Sequence, residues 1–240
     1  MSQTSSNETV EYIDAVNLEK IIGPSLTNYN NHIVDLILSV DGNKESILDF
    51  GAGCGILAKI IKKKVNKSPT CVEIDKNFIN TLLRSDFEVV DDMSKVEKQF
   101  DLIYSSNVLE HIADDREIIN VLKSKLKDEG KLVLYLPAFN FLYSELDKKV
   151  GHFRRYSKKT LIDMANETGF KIHKVFYADS IGFFGSLAIR IFGWNTSWGI
   201  GSKSSLIFYD KLIFPLSKFL DSLGFRYFFG KNIFISLKKK

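Results

Sequence analysis

Cysteine is nearly absent. The two that occur in 240 residues, Cys54 and Cys71, have no C-x-x-C partner and no His-rich spacing around them. That excludes a disulfide framework and predicts reduced thiols in a cytoplasmic chain with no metal. Charge of one sign is also scarce: the net charge is +4, and its clusters, Lys62-Lys63-Lys64 and Lys238-Lys239-Lys240, are short. The first cluster reads as the solvated last turn of a helix, where cations complement the dipole. Met1 to Val10 is polar, with neither a basic n-region nor an apolar h-region, so no secretory signal is expected. The stretch Ser180 to Ser202 has a single charge, Arg190, but its five glycines and the polar Asn195-Thr196-Ser197 argue against a spanning helix. Internal repeats and low-complexity segments are missing. With 45% hydrophobic and 26% charged residues, the chain reads as one α/β domain with an appendage.

The most informative run is Ile47-Leu48-Asp49-Phe50-Gly51-Ala52-Gly53-Cys54-Gly55. An apolar strand carrying a carboxylate near its end pours into a glycine-rich turn, and Ile56, Leu57, Ile60 and Ile61 then fall on one helical face. Glycines let the backbone approach a ligand where a Cβ would collide, and an acid at the lip suits a positively charged ligand. A dinucleotide turn, G-x-G-x-x-G, has different spacing and would place Asp49 beside phosphates it should avoid.

Behind the turn, strand and helix alternate. Thr70 to Ile74, Phe87 to Val90, Phe100 to Ser105, Lys131 to Leu136, Phe170 to Tyr177 and Asn232 to Leu237 read as further strands. Gly130 is expected to stop the helix through Ile118, Ile119, Leu122 and Leu126. Ser157 is expected to cap a helix over Leu161 to Thr168 that Gly169 ends. Such alternation requires right-handed crossovers and a mostly parallel sheet with helices on both faces, whose ligands bind beyond the carboxyl ends of the strands. Asp49, Glu73, Asp92 and Asn107 all fall at or just after strand ends and are expected on one rim. Glu73 suits the vicinal hydroxyls of a ribose, with Asp75 as a rival whose plainer role is helix capping. Asp92, with Met93 beside it, suits an exocyclic amine and a purine face; Asp91 is its rival. Asp101 begins a strand and reads as an element boundary.

In this order the residues resemble class I methyltransferases that use S-adenosylmethionine, whose first motif is (D/E)-x-G-x-G-x-G. The likeness covers about residues 30 to 180, and Phe100 to Ile112, with its Leu-Glu-His, is similar to a large bacterial branch. It implies a Rossmann-like, seven-stranded, mostly parallel α/β sheet with helices on both faces, and a helical and aromatic insertion before the last strand. Residues 1–30 would be an N-terminal extension or helical cap and 31–240 the methyltransferase domain. It further implies that Asp49, Gly51, Ala52, Gly53, Gly55, Glu73, Ile74, Asp92, Met93, Ser106 and Asn107 hold S-adenosyl-L-methionine, with S-adenosyl-L-homocysteine as product. Ala52 and Cys54 depart from residues often found in the turn, without removing a backbone contact.

The segment from Leu136-Pro137-Ala138-Phe139 through Tyr143, Leu146-Asp147 and Gly151-His152-Phe153-Arg154-Arg155-Tyr156 resembles the PA…LY..LD…GH.RRY stretch of a bacterial subgroup met near glycan and polyprenyl-lipid enzymes. The plainer reading is a charged loop capping the next helix. Methyl transfer from a sulfonium is an in-line displacement that depends mainly on positioning. A hydroxyl acceptor would still gain from a base: His152 first, His111 second, with Tyr156 orienting the acceptor. Tyr143, Arg154 and Arg155 are the candidate substrate contacts, the arginines for a phosphate or carboxylate. No Asn/Asp-Pro-Pro-Tyr/Phe turn follows strand four, which argues against nucleic-acid bases and glutamine as acceptors.

Ten of the 19 phenylalanines and both tryptophans, Trp194 and Trp198, lie between residues 181 and 235. Residues 179–230 therefore read as a lid that closes the core over the substrate pocket, the favoured reading, or as a surface for peripheral contact with the inner face of an anionic membrane. Leu206 to Phe219 looks amphipathic. The expected enzyme acts on a small-molecule or lipid- or glycan-linked oxygen or nitrogen acceptor. A non-catalytic cofactor-binding or membrane-associated partner protein and an NAD(P)-dependent oxidoreductase are the alternatives.

Overall fold

The computed structural model describes residues 23–193 and 203–239. Seven strands form one sheet: β1 (Ile47–Phe50), β2 (Thr70–Val72), β3 (Glu88–Val90), β4 (Phe100–Ser106), β5 (Leu126–Pro137), β6 (Phe170–Ala178) and β7 (Asn232–Lys239). Their order is β3-β2-β1-β4-β5-β7-β6. Strands β1 to β5 pair in parallel, and β7 runs antiparallel between β5 and β6. The expected seven-stranded, mostly parallel sheet is therefore what the chain forms. Chain order reverses direction between β1 and β4, so the loops leaving these strands diverge and open a crevice at their carboxyl ends.

Alternate residues of the central strands feed two cores. Leu48, Ile103, Leu132 and Leu134 point to one face, and Ile47, Leu102, Tyr104 and Val133 to the other, which is why these strands read as continuous apolar runs. The second face is covered by α1 (Thr27–Leu38) through Ile33, Val34 and Ile37. Helices α2 (Ile56–Val65), α3 (Lys76–Arg84) and α4 (Asp115–Ser124) make the crossovers. Lys62, Lys63 and Lys64 do form the last turn of α2. After β5 come a short α5 (Glu145–Lys149) and α6 (Lys158–Glu167), which Ser157 caps by accepting from the Thr160 amide. Gly169 follows with φ +68°.

One expectation needs correction. Gly130 does not stop a helix: α4 ends at Ser124, and β5 starts at Leu126, which already pairs with Phe100. Gly130 lies in an irregular stretch of that strand, where the register with β4 shifts and a Cβ would crowd the Lys127 and Phe100 carbonyls. The aromatic appendage consists of α7 (Ser180–Phe192), α8 (Lys203–Phe208), a π-helical turn (Tyr209–Ile213) and α9 (Phe214–Ser222). The stretch is amphipathic with its polar face inward. Asp210, Ser217 and Asp221 are buried, while Phe208, Leu212, Leu216, Phe219 and Leu223 are exposed along one stripe. Trp194 and Trp198, like Leu18, Ile21 and Ile22 of the expected N-terminal cap, lie outside the described residues.

The inward acids are spent on backbone amides. Asp210 accepts from Asn28 and Tyr29 at 2.9 Å each, tying the start of α1 to the appendage, and Asp221 accepts from the Asp179 amide at 2.8 Å. Phe214 fills the same junction, edge-on to Tyr29 at 5.1 Å and to His32 at 5.6 Å. Burial, reinforced by Lys218 and Arg226 and opposed by Asp35 and Asp179, lowers His32 from 6.5 to about 4. The neutral ring is the folded form, so the unfolded chain takes up a proton first as pH falls. Stability is expected to drop from about pH 6.5 towards pH 4, by about 2 kcal/mol at pH 5. Urea unfolding at pH 7.5 and pH 5 checks this: His32→Gln should remove most of the acid loss, and an equal loss in both proteins would refute it.

Candidate active site

At the end of β1 the turn folds back on β2: the Gly51 and Ala52 amides donate to the Val72 carbonyl at 2.9 and 3.1 Å. Gly51, Gly53 and Gly55 all have positive φ, and a Cβ on Gly51 would overlap the Val108 side chain. Glu73 is buried beyond the tip of β2. One carboxylate oxygen accepts from Gly53 at 2.7 Å, and the other accepts from Ile74 at 2.8 Å and Asp75 at 2.9 Å. The residue expected to hold a ribose therefore also stitches the glycine turn to β2. A carboxylate offers about four lone-pair positions, so these three bonds leave capacity for a further donor. Beside it Ile74 is 77% exposed, an apolar side chain standing in solvent at the rim. Asp75 caps α3 by accepting from Asn77 and Phe78, the plainer role expected of it.

Asp92 is exposed and accepts from the Ser94 amide at 2.8 Å; Met93 behind it is buried. Its rival Asp91 is turned to Lys95. Asp49 is buried with Oδ2 taking the Tyr104 hydroxyl at 2.6 Å. Ser106 ends β4, and Asn107, at φ +54°, donates its amide to the Tyr135 carbonyl. The strand-end residues thus do share one rim, and glycine turn, carboxylate and exposed apolar side chain suit an adenosyl group. Asp101 clips Ser46, accepting from its amide at 2.9 Å and its hydroxyl at 2.8 Å, as an element boundary should.

Past Asn107, a helical turn at Leu109–His111 brings Glu110 and His111 to the same end of the sheet as the loop from β5. His152 Nδ1 donates to Asp147 at 2.8 Å, and its Nε2 stands 3.9 Å from Glu110 Oε1. The His111 and His152 rings pack edge-on at 4.6 Å. Both histidines expected from the sequence are therefore brought together. Glu110 is fully buried, burial pushes its carboxyl up to about 8, and neither oxygen has a hydrogen-bond partner among the described residues.

The rest of the loop is spent on internal bonds. Arg155 grips Asp147 with two bonds, at 2.8 and 2.9 Å. Arg154 pairs with Asp115 at 2.9 Å and donates to the Ile112 and Ala113 carbonyls. Tyr156 is buried, donates to Asp115 at 2.9 Å, and burial raises its phenol. These three shape the loop. Tyr143 donates to the His152 carbonyl at 2.6 Å and still lines an open cleft of about 370 Å³ with Asn140, Phe141, Phe153 and Arg190. Glu110, Asp147 and Arg190 went unassigned in the sequence reading. Leu-Glu-His and Leu-Asp did mark the first two, but only the folded loop shows what they face.

A family described as "Methyltransferase domain" matches residues 26–175. The malonyl-[acyl-carrier protein] O-methyltransferase 1 of Ilyobacter polytropus is 30% identical over 221 residues, covering 84% of this chain and 81% of its own. Among solved structures, phosphoethanolamine N-methyltransferase 2 of Haemonchus contortus, in complex with S-adenosyl-L-methionine, superposes with a TM-score of 0.60 at 20% identity, covering 99% of this chain. This chain spans only 58% of the Haemonchus protein's length. A possible histamine N-methyltransferase of Thermotoga maritima gives 0.63 at 14%, covering 95% of this chain and 96% of its own. At these identities the structural likeness is one of fold.

Replacing Glu73 by Gln is expected to weaken S-adenosylhomocysteine binding roughly tenfold to a hundredfold in calorimetric titration, the cost of one charge-assisted contact. Unchanged affinity in a folded variant would remove Glu73 from the ribose position.

Proposed function

This chain belongs to the methyltransferase-domain family and uses S-adenosyl-L-methionine, and from that premise we propose that it methylates an oxygen or nitrogen atom of a lipid-linked acceptor at the membrane surface. Family membership displaces the nicotinamide and non-catalytic alternatives. The observation that carries the lipid reading is the reversed amphipathicity of the appendage. It exposes Phe208, Leu212, Leu216, Phe219 and Leu223 at helical spacing, α7, which packs against α9, exposes Phe184, Ile191 and Phe192, and α7 also carries Arg190 of the cleft. Exposed apolar side chains in this number are what an interaction surface requires. Lys203, Lys211, Lys218 and Arg190 lie among these apolar positions, as on a helix resting on anionic headgroups. Among the described residues no helix is long and apolar enough to cross a membrane, so the contact proposed is peripheral.

The bound cofactor supplies a methyl group on a positively charged sulfur. The chain's own part is placement. Asp49 adds negative potential at the lip of the glycine turn, and Glu73, Ile74, Asp92 and Met93 hold the adenosyl end. Ser106 and Asn107 end β4 where the methionine portion would lie. The acceptor enters between Phe141, Tyr143, Phe153 and Arg190, with Arg190 as partner for an anionic group. His152, its Nδ1 tied to Asp147 and its Nε2 3.9 Å from Glu110, stands with His111 at the acceptor end. A carboxyl acceptor on an acyl chain, the kind of substrate named for the Ilyobacter relative, is the second reading, since Arg190 suits a carboxylate equally well.

Two measurements test this. Incubation with methyl-labelled S-adenosylmethionine and fractionated cell extracts should place label in the lipid fraction; label confined to water-soluble products would overturn the lipid acceptor. In flotation with anionic vesicles the protein should rise with the lipid. Replacing Phe208, Leu212 and Phe219 together by Ser should cut the floating fraction at least fivefold while leaving S-adenosylhomocysteine affinity unchanged. A wild-type protein that stays at the bottom would reject membrane contact.

A further inference from the structure

Glu110 poses a problem that the methyl-transfer reading does not solve. Its side chain is wholly buried, and neither oxygen meets a donor among the described residues. Burying a carboxyl group without partners is costly, and such groups call for an ion or a water. Two histidines face it. One ligand atom each from Glu110, His111 and His152 can be drawn so that all three lie within 4.8 Å of one another. The 3.9 Å between His152 Nε2 and Glu110 Oε1 is too long for a hydrogen bond. It is close to the roughly 3.4 Å that separates two ligands standing about 2.1 Å from one tetrahedral ion.

The surroundings are also those of ligands rather than of a chance cluster. His152 has its outer nitrogen fixed by Asp147, which is almost fully buried and is held in turn by the Ser144 amide and hydroxyl and by Arg155. A carboxylate behind a histidine orients the ring and raises its basicity as a ligand. The His111 ring lies beside Gly151, where an added Cβ would stand 3.9 Å from its Nδ1. The Phe153 amide donates to the Glu110 carbonyl at 2.7 Å, so both segments carrying the cluster are bonded to each other.

We propose that Glu110, His111 and His152 form a binding site for one divalent transition-metal cation of the Zn²⁺, Mn²⁺ or Co²⁺ type. Two imidazoles and a carboxylate suit such ions better than Mg²⁺ or Ca²⁺, which favour all-oxygen sites. Cysteine spacing gave no sign of it, because the ligands come from two loops and none is a thiol. His111 is exposed, so the site opens to solvent at the acceptor end, and three protein ligands leave a position for an acceptor atom. If the acceptor of the proposed reaction is a hydroxyl, the cation lowers its pKa and the proton leaves to water. The oxygen then bonds to the methyl carbon as that carbon's bond to sulfur breaks, and sulfur departs as a neutral thioether. This catalytic role rests on the proposed reaction; the binding of the cation does not.

The test uses the full chain, stripped with chelator and dialysed. Titration with ZnCl₂, MnCl₂ and CoCl₂ by calorimetry, with metal content by mass spectrometry, is expected to give one ion per chain, and Co²⁺ should show ligand-field bands of a nitrogen-bearing site. Glu110→Gln and His152→Ala should weaken binding at least a hundredfold. Asp147→Asn should keep the stoichiometry but lose about tenfold to a hundredfold in affinity. Glu110→Gln keeps the volume and removes an unpaired carboxyl, so in chelator its melting temperature should match or exceed that of the parent, which separates a lost site from a lost fold. Stoichiometric binding without methylation of any hydroxyl would uphold the site and refute only the oxygen acceptor. Absence of stoichiometric binding to the parent, or equal affinity in Glu110→Gln and His152→Ala, would overturn the proposal.

Discussion

The turn after β1 has no room for a side chain at position 51, because Val108 of the turn after β4 already occupies that space. The two turns lie against each other where the strand order reverses, so whatever β4 delivers just past its end is placed next to the glycine run. Glycine is required there twice over, once for the contact and once for the backbone, whose φ of +77° is unfavourable for any residue with a Cβ. From the other side, Glu73 takes the Gly53 amide and fixes the turn to β2. Three strands thus meet at one point with little freedom left. A crevice held this way can orient a donor before an acceptor arrives, which is what a displacement reaction requires of its protein.

The appendage obeys a different constraint. Asp179, Asp210 and Asp221 are buried and occupied: Asp210 by the amides at the start of α1, Asp221 by the amides at 179 and 180, and Asp179 by the Gly182 amide and by Ser217 and Tyr209. These are charge-assisted bonds in a dry setting, where leaving any amide unpaired would be costly. Polar side chains share the inner seats with Phe214, and Phe208, Leu212, Leu216, Phe219 and Leu223 are turned outward. Hydrophobic content alone suggested a lid packed on the core, since apolar residues are usually buried. Which face a helix buries is decided by the partners it meets, and for Asp210 those partners are 181 and 182 residues away in sequence.

The same distinction separates what the sequence made legible from what it did not. In a parallel sheet every strand delivers its last residues to one edge, so Asp49, Glu73, Asp92 and Asn107 could be placed on a common rim from spacing alone. Local chemistry was equally readable: Asp75 and Ser157 cap helices, and Lys62 to Lys64 end one. The loop after β5 was readable only as a dense set of reactive groups. Arg154 and Arg155 are held by Asp115 and Asp147, and Tyr156 by Asp115, pairings set by how the loop returns to the sheet. Periodicity has no bearing on such a return, so the two arginines looked available when they were committed.

Arg154, Arg155 and Tyr156 make a rigid wall, and a charge spent on a buried carboxylate is a poor partner for an incoming one, since exchanging it would strand Asp115 or Asp147 without a cation. The groups that face the open cleft are Phe141 and Phe153, both largely exposed, with Tyr143 and Arg190. Two aromatic faces and one cation suit an acceptor with an apolar portion and an anionic group close together. Arg190 sits on the same helix as the exposed Phe184, Ile191 and Phe192, so the cleft and an exposed apolar surface share one helix, and an apolar acceptor proposed to come from a lipid surface would meet both on that element.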